Sequence, residues 1–314
     1  MLKFSRRDAV GFLLPLLHCL RLQAQSPAPA PGLPPPRDPA DSATAAQPRT
    51  TARTYRADAV ILFLGISIYR RAGVGDGKAS LEETGEGSAL RRILFFAAGS
   101  DPKRARGLIR LGWMREVVLG PAGTPSEIAY SGVLTSSPEE TLDHARKLVT
   151  APPPGRSVFS AVSGRNAAGR SRSAITHFEF DARAAWSDRS LIDRAQSTFD
   201  ANATWRETAW PDSPDQAPPT FLYQLATLLR KRTRYAAGRY VYCEQEYLLG
   251  LETQQQSRVR ERLLPVRGKI RNLRTGSETN FRLWLDEASD SIVPVRFEFQ
   301  PRSFLRLTFE AVNA

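Results

Sequence analysis

The sequence predicts a mainly β protein: a curved antiparallel sheet, or an open or half barrel, accompanied by two or three helices. Three observations carry that expectation. Beyond Gly238, Val293, Val295, Phe297 and Phe299 alternate with Pro294, Arg296, Glu298 and Gln300, and Leu305, Leu307 and Phe309 alternate with Arg306, Thr308 and Glu310. A period of two gives a sheet one buried and one wet face. From Tyr55 onward, branched and aromatic runs are separated by glycine-rich segments, as in antiparallel strands with short connections. Helical spacing of apolar residues is confined to short stretches. The concave side of such a sheet commonly shelters a ligand or a covering helix.

The first 24 residues read as a signal peptide. Lys3, Arg6 and Arg7 precede an apolar run from Ala9 to Leu20, and Leu22-Gln23-Ala24 presents a small residue for cleavage before Gln25. That run would measure about 18 Å as a helix, against roughly 30 Å for a bilayer core, so no membrane span is expected in the mature form. Ser5-Arg6-Arg7-Asp8 resembles a twin-arginine signal but suits general secretion equally. Cys19 follows His18, where lipoprotein processing requires a small side chain, so a soluble periplasmic or otherwise exported form is expected. Residues 25–54 hold eight prolines and abundant alanine, with no aromatic residue, and read as a disordered leader.

The folded unit is expected over residues 55–314. Val60 to Tyr69 reads as a strand, and Gly73 to Gly77 as a hairpin turn, because Asp76-Gly77 accommodates positive φ. The same segment lacks Ser or Thr after Gly77-Lys78, so it is not a phosphate loop. Leu90 to Phe96 and Met114 to Leu119 should pair, with a short helix over 104–110 between them. Ser137-Pro138-Glu139-Glu140 is a capping box opening a helix from Pro138 to about Val149, which Pro152 to Pro154 stop. Phe221, Leu222, Leu225, Leu228 and Leu229 mark another helix, preceded by Pro218-Pro219 and closed by Arg230-Lys231-Arg232. Its apolar stripe should lie on the sheet. Strands are then expected over 240–251, 258–266, 268–273, 280–285, 292–299 and 303–309.

The net charge is +12, and residues 1–24 contain four basic and one acidic side chain, leaving +9 for the remainder. Lysine appears at only six positions and the arginines are scattered, so no nucleic-acid partner is expected. After cleavage Cys243 is the sole cysteine and His144 and His177 the only histidines, which excludes an internal disulfide and leaves no pair at metal-ligand spacing. No metal and no cofactor are expected.

The carboxyl-terminal third resembles a known group. Phe221-Leu222-Tyr223-Gln224-Leu225, the Gly238 turn, Phe281-Arg282-Leu283-Trp284-Leu285-Asp286 and Ile292-Val293-Pro294-Val295-Arg296-Phe297 are similar to exported bacterial proteins of domain of unknown function 3108. The resemblance covers roughly residues 221–312, with 55–83 matching less closely. Residues 91–214 depart from it and leave room for an added subregion. It implies an exported, mostly β protein of the cell envelope, with no assigned reaction and no catalytic residues to carry over.

No catalytic constellation stands out. His144 and His177 lack a nearby nucleophile signature and read as surface residues. Glu244 and Glu246 would share one face of a strand as a glycosidase pair would, but solvated or arginine-paired carboxylates explain them more simply. Cys243, in a tyrosine-rich strand, reads as a small buried hydrophobe. The expected role is a non-enzymatic envelope binding or assembly factor, holding a lipid, an acyl chain or a polymer segment on a concave β surface. The alternatives are a hydrolase of an envelope polymer using Glu244 and Glu246, and a scaffold without a small ligand.

Overall fold

The computed structural model describes residues 48–63, 66–101, 103–105, 111–135, 155–181, 183–211, 214–254, 262–302 and 305–312. Within them the chain forms strands β1 (Arg49–Phe63), β2 (Ile66–Thr84), β3 (Arg91–Ser100), β4 (Leu111–Leu119), β5 (Glu127–Thr135), β6 (Arg156–Ala167), β7 (Arg170–Asp181) and β8 (Arg206–Ala209). Helix α1 (Arg189–Asn202) precedes β8 and helix α2 (Phe221–Arg230) follows it. The remaining strands are β9 (Tyr235–Tyr242), β10 (Gln245–Thr253), β11 (Leu263–Asn272), β12 (Glu278–Asp286), β13 (Arg296–Arg302) and β14 (Leu305–Ala311).

All fourteen strands belong to one antiparallel sheet, ordered β8-β7-β6-β5-β4-β3-β2-β1-β14-β13-β12-β11-β10-β9. Two meanders are joined where the first strand pairs with the last, from Tyr55 opposite Ala311 to Ile61 opposite Leu305. This is the curved sheet that the alternation predicts. Residues 91–209 supply β3 to β8 of that same sheet. The edges β8 and β9 approach each other without a ladder among the described residues. Arg206 reaches Glu244 at 3.5 Å, Arg239 lies over the Trp210 ring at 5.4 Å, and the Val241 N–H donates to the Pro219 carbonyl at 2.9 Å. The sheet therefore curls into a barrel with an open seam.

Both faces are covered in part. The inward core gathers Tyr55, Leu94, Met114, Tyr130, Tyr240, Leu249, Leu283 and Phe297 around α2. Tyr55 donates to the Pro294 carbonyl at 2.7 Å, and Phe297 stacks on Phe309 with centroids 4.2 Å apart. On the opposite face of β5 to β7, Val133, Phe159, Ala174 and Phe178 receive Leu191, Ala195 and Phe199 of α1. Asp188 caps α1 by accepting from the Ser190 N–H at 3.0 Å. The sequence reading overlooked this helix, although a cap followed by apolar residues at every fourth position is its ordinary signature.

Several expected boundaries are corrected. β1 ends at Phe63 and β2 begins at Ile66, so Val60 to Tyr69 is divided between two strands. Gly73 to Gly77 lies inside β2, where the ladder slips between Ala57 opposite Gly75 and Ala59 opposite Arg71. This is a bulge: Gly73 takes φ +60° and its N–H donates to Asp58 at 2.7 Å, so the glycine that suggested a turn bends a strand instead. β1 begins at Arg49, and residues 49–54, read as leader, pair with Glu83 to Lys78 because β2 offers them an edge. Residues 240–251 are a hairpin with Cys243 and Glu244 at positive φ in its turn, whereas the strands expected over 258–266 and 268–273 meet in the single β11, residues 258–261 lying outside the described residues. The helix expected from Pro138 and most of the one over 104–110 lie outside the described residues.

Candidate apolar binding cavity

α2 does not simply lie on the sheet; it sits within the curl. Pro218 and Pro219 end any preceding regular structure, and Thr220 occupies the cap position. Its hydroxyl does not cap the helix but donates to Glu116 on β4 at 2.6 Å. The same carboxylate accepts the Leu222 N–H at 3.0 Å and the Tyr223 N–H at 2.8 Å. Glu116 thus caps α2 from across the barrel, satisfying donors that the first helical turn leaves open. It is fully buried, and burial pushes its carboxyl up to about 7, although those three donors pull it back.

Other contacts fix the rest of the helix. Arg92 lies over the Tyr223 ring at 5.2 Å and donates to the Gly120 and Pro121 carbonyls, tying α2 to the β4–β5 connection. Arg230 pairs with Glu83 at 2.6 Å at the carboxyl end. Gln224 packs against Gly238 of β9 so closely that any side chain there would collide with it.

Between the helix and the sheet remains a cavity of about 200 Å³. Phe221, Leu225 and Leu229 form its helical wall; Leu81, Leu94, Phe96, Met114, Phe281 and Phe297 are among the strand residues opposite. Phe96, Phe221, Leu225, Phe281 and Ile292 are only half-buried, so the lining is not sealed on every side. A different lining continues on β6 and β7, where the register points Ser160, Asn166, Ser171, Ser173 and His177 inward. The interior is therefore apolar beside α2 and mixed over β6 and β7, where Val162 and Ile175 lie among those polar groups.

The residues weighed from the sequence lie elsewhere. Glu244 occupies the β9–β10 turn and pairs with Arg206, while Glu246 on β10 pairs with Arg239 at 3.7 Å. They do not share a strand face, because Glu244 lies in the turn at positive φ and β10 begins only at Gln245. Burial raises the Glu244 carboxyl while Arg206 opposes the shift. Cys243 is buried, as expected, and its N–H donates to the Tyr130 hydroxyl at 3.4 Å. His177 is half-buried rather than on the surface, with Nδ1 3.1 Å from Ser160 Oγ. Ser160 is 3 % exposed, too enclosed to meet a substrate in this conformation. His144 lies outside the described residues. Among the described residues no helix is long and apolar enough to cross a membrane, and no cluster of histidine, cysteine and carboxylates has the makings of a metal site.

Glu116 was the missed residue. Its signal was faint but present: a carboxylate alternating with Met114 and Val118 on the side of β4 that should be buried.

No family model and no curated protein sequence matches this chain. Among solved structures it is similar to the crystal structure of a β-barrel-like protein of domain of unknown function DUF1849 from Brucella abortus. The two are 10% identical, the match covers 83% of this chain and 95% of the other, and the TM-score is 0.42. Likeness at that level transfers no property between them.

Proposed function

We propose that this protein is an exported, non-enzymatic binding factor that holds an acyl chain of a lipid in the cavity between α2 and the sheet. The observation that carries the reading is the composition of the wall: side chains of Leu81, Leu94, Phe96, Met114, Leu225, Phe281 and Phe297 surround about 200 Å³ of space. Ser80, Thr279 and Glu298 also border the space, but most of the wall is hydrocarbon, so the many hydroxyls of a polysaccharide would lose more water than these groups replace, which favours a hydrocarbon over a polymer segment. A cavity of about 150 Å³ admits benzene, so this one suits a segment of roughly six to eight carbons. Burying about six methylenes yields roughly 5 kcal/mol, an affinity on the order of 10⁻⁴ M before any headgroup contact. The charged and apolar pattern of residues 1–24 supports export, and the resemblance of residues 221–312 to domain of unknown function 3108 belongs to the same proposal.

The test begins with protein recovered from its own host. Mass spectrometry of its amino terminus should find cleavage near Ala24, and solvent extraction should release an apolar ligand. Titration with dodecanoate, followed by native mass spectrometry, should show one bound chain. Ala79→Trp fills the cavity from β2 and should weaken binding at least tenfold; Leu225→Trp does so from α2 should the first variant fold poorly. A clean extract together with no dodecanoate binding, or equal binding by both folded variants, would refute acyl carriage.

A further inference from the structure

The β1–β2 arm carries an unusual surface. β3 pairs with β2 only from Gly75 to Thr84, so Ile66 to Val74 stands beyond it, and the described ladder between β1 and β14 ends at Ile61. On this projection Ile66 is 69 % exposed, Ile68 62 % and Tyr69 53 %. Apolar side chains clustered in water gain nothing within the fold and mark an interaction site.

Within the arm itself the charge has one sign. Residues 59–75 contain Arg70 and Arg71 and no carboxylate. At the base of the arm, a Cβ built on Gly73 would lie 2.9 Å from a guanidinium nitrogen of Arg104 and 2.9 Å from one of Arg56. Arg70 joins them by pairing with Asp58 at 2.5 Å, and Asp101 lies 3.5 Å from Arg104. At the base these arginines are balanced by Asp58, Asp101 and the cross-strand neighbours of Arg56, Asp76 and Glu310, so the excess positive charge lies toward the apolar tip, at Arg70 and Arg71.

We propose that this arm docks the protein on anionic bilayers, with Ile66, Ile68 and Tyr69 entering the interfacial region and Arg70 and Arg71 meeting lipid phosphates. Tyrosine favours the headgroup level and arginine the phosphates just outside it. A protein partner fits less well. Three side chains on a narrow projection cannot supply the roughly 800 Å² per partner of a stable interface, whereas a fluid bilayer needs only a shallow apolar wedge and a basic collar. The inference stands on the arm alone, independent of what the cavity binds.

The test is cosedimentation of the full protein, with the amino terminus it carries in its own host, on two kinds of vesicle. Phosphatidylglycerol and phosphatidylcholine mixtures should retain it, and pure phosphatidylcholine should not. Combining Ile66→Ser, Ile68→Ser and Tyr69→Ser in that same background should reduce retention at least tenfold with an unchanged melting temperature. Arg71→Ala should cost about fivefold, since one basic residue near an anionic surface contributes roughly that factor. Unchanged retention of the triple variant, equal binding to both vesicle types, or a dimer that the triple substitution converts to monomer while vesicles are ignored would each overturn the proposal. An arm variant that still carries dodecanoate separates this result from the cavity reading.

Discussion

Replacing Glu116 by Gln tests the organisation of the barrel interior most directly. In the folded protein the carboxyl is held at about 7, largely by burial, whereas an unfolded glutamate titrates near 4.5. Between those values the folded state retains a proton that the unfolded chain has lost. Stability from this group is therefore complete below pH 4.5, declines as pH rises, and is gone above about 8. The separation corresponds to about 3 kcal/mol in total, with a limiting slope of about 1.4 kcal/mol per pH unit. Glutamine has no proton to exchange, so its variant should lack this slope. It also turns an amide N–H toward backbone donors at Leu222 or Tyr223, and a buried donor left unpaired costs about 1–3 kcal/mol. Urea unfolding of both proteins at pH 5, 6, 7 and 8 measures the two effects together. The variant should be the less stable at pH 5, and the difference should shrink toward pH 8. Parallel pH profiles would show that Glu116 is not the buried titrating cap described above.

Two further substitutions probe other joints of the fold. Gly238→Ala should destabilise the protein by about 1–3 kcal/mol through its collision with Gln224, and Gln224→Ala in the same molecule should recover part of that loss; additive effects in a double-mutant cycle would contradict the contact. Although burial opposes ionisation, the Gly73 N–H and Arg70 hold the Asp58 carboxyl below the usual carboxylate range. Its contribution is present above about pH 4 and disappears as pH falls through the lowered value. Asp58→Asn should flatten the acid limb of stability and speed amide exchange at Gly73; unchanged exchange would exclude a role for Asp58 in fixing the bulge.

Strands with one wet face were legible because period-two alternation survives in a single chain: β13 and β14 lie within about four residues of the strands expected over 292–299 and 303–309, residues 292–295 preceding β13. α2 was legible for the equivalent reason at period 3.6, and its ends agree with the Pro218-Pro219 and Arg230 signals. Glycine was the poorer guide. Gly73 takes a positive φ as expected, yet that conformation serves a bulge as readily as a turn, and only Asp58 on the neighbouring strand selects between them. The paired glutamates failed similarly. Whether Glu244 and Glu246 share a face depends on where the hairpin turns, which the run Tyr240 to Leu251 does not reveal because no Gly or Pro marks a turn in it before Gly250.

The amino-acid order alone determined an antiparallel sheet, and one amphipathic helix to accompany it. Tertiary structure decided that the first strand joins the last, that the sheet curls around α2, and that a glutamate more than a hundred residues upstream caps that helix. Local periodicity records which side of a strand is apolar, because each residue carries its own hydration cost. It does not record which distant segment covers that side, because the partner's identity is a property of the closed chain.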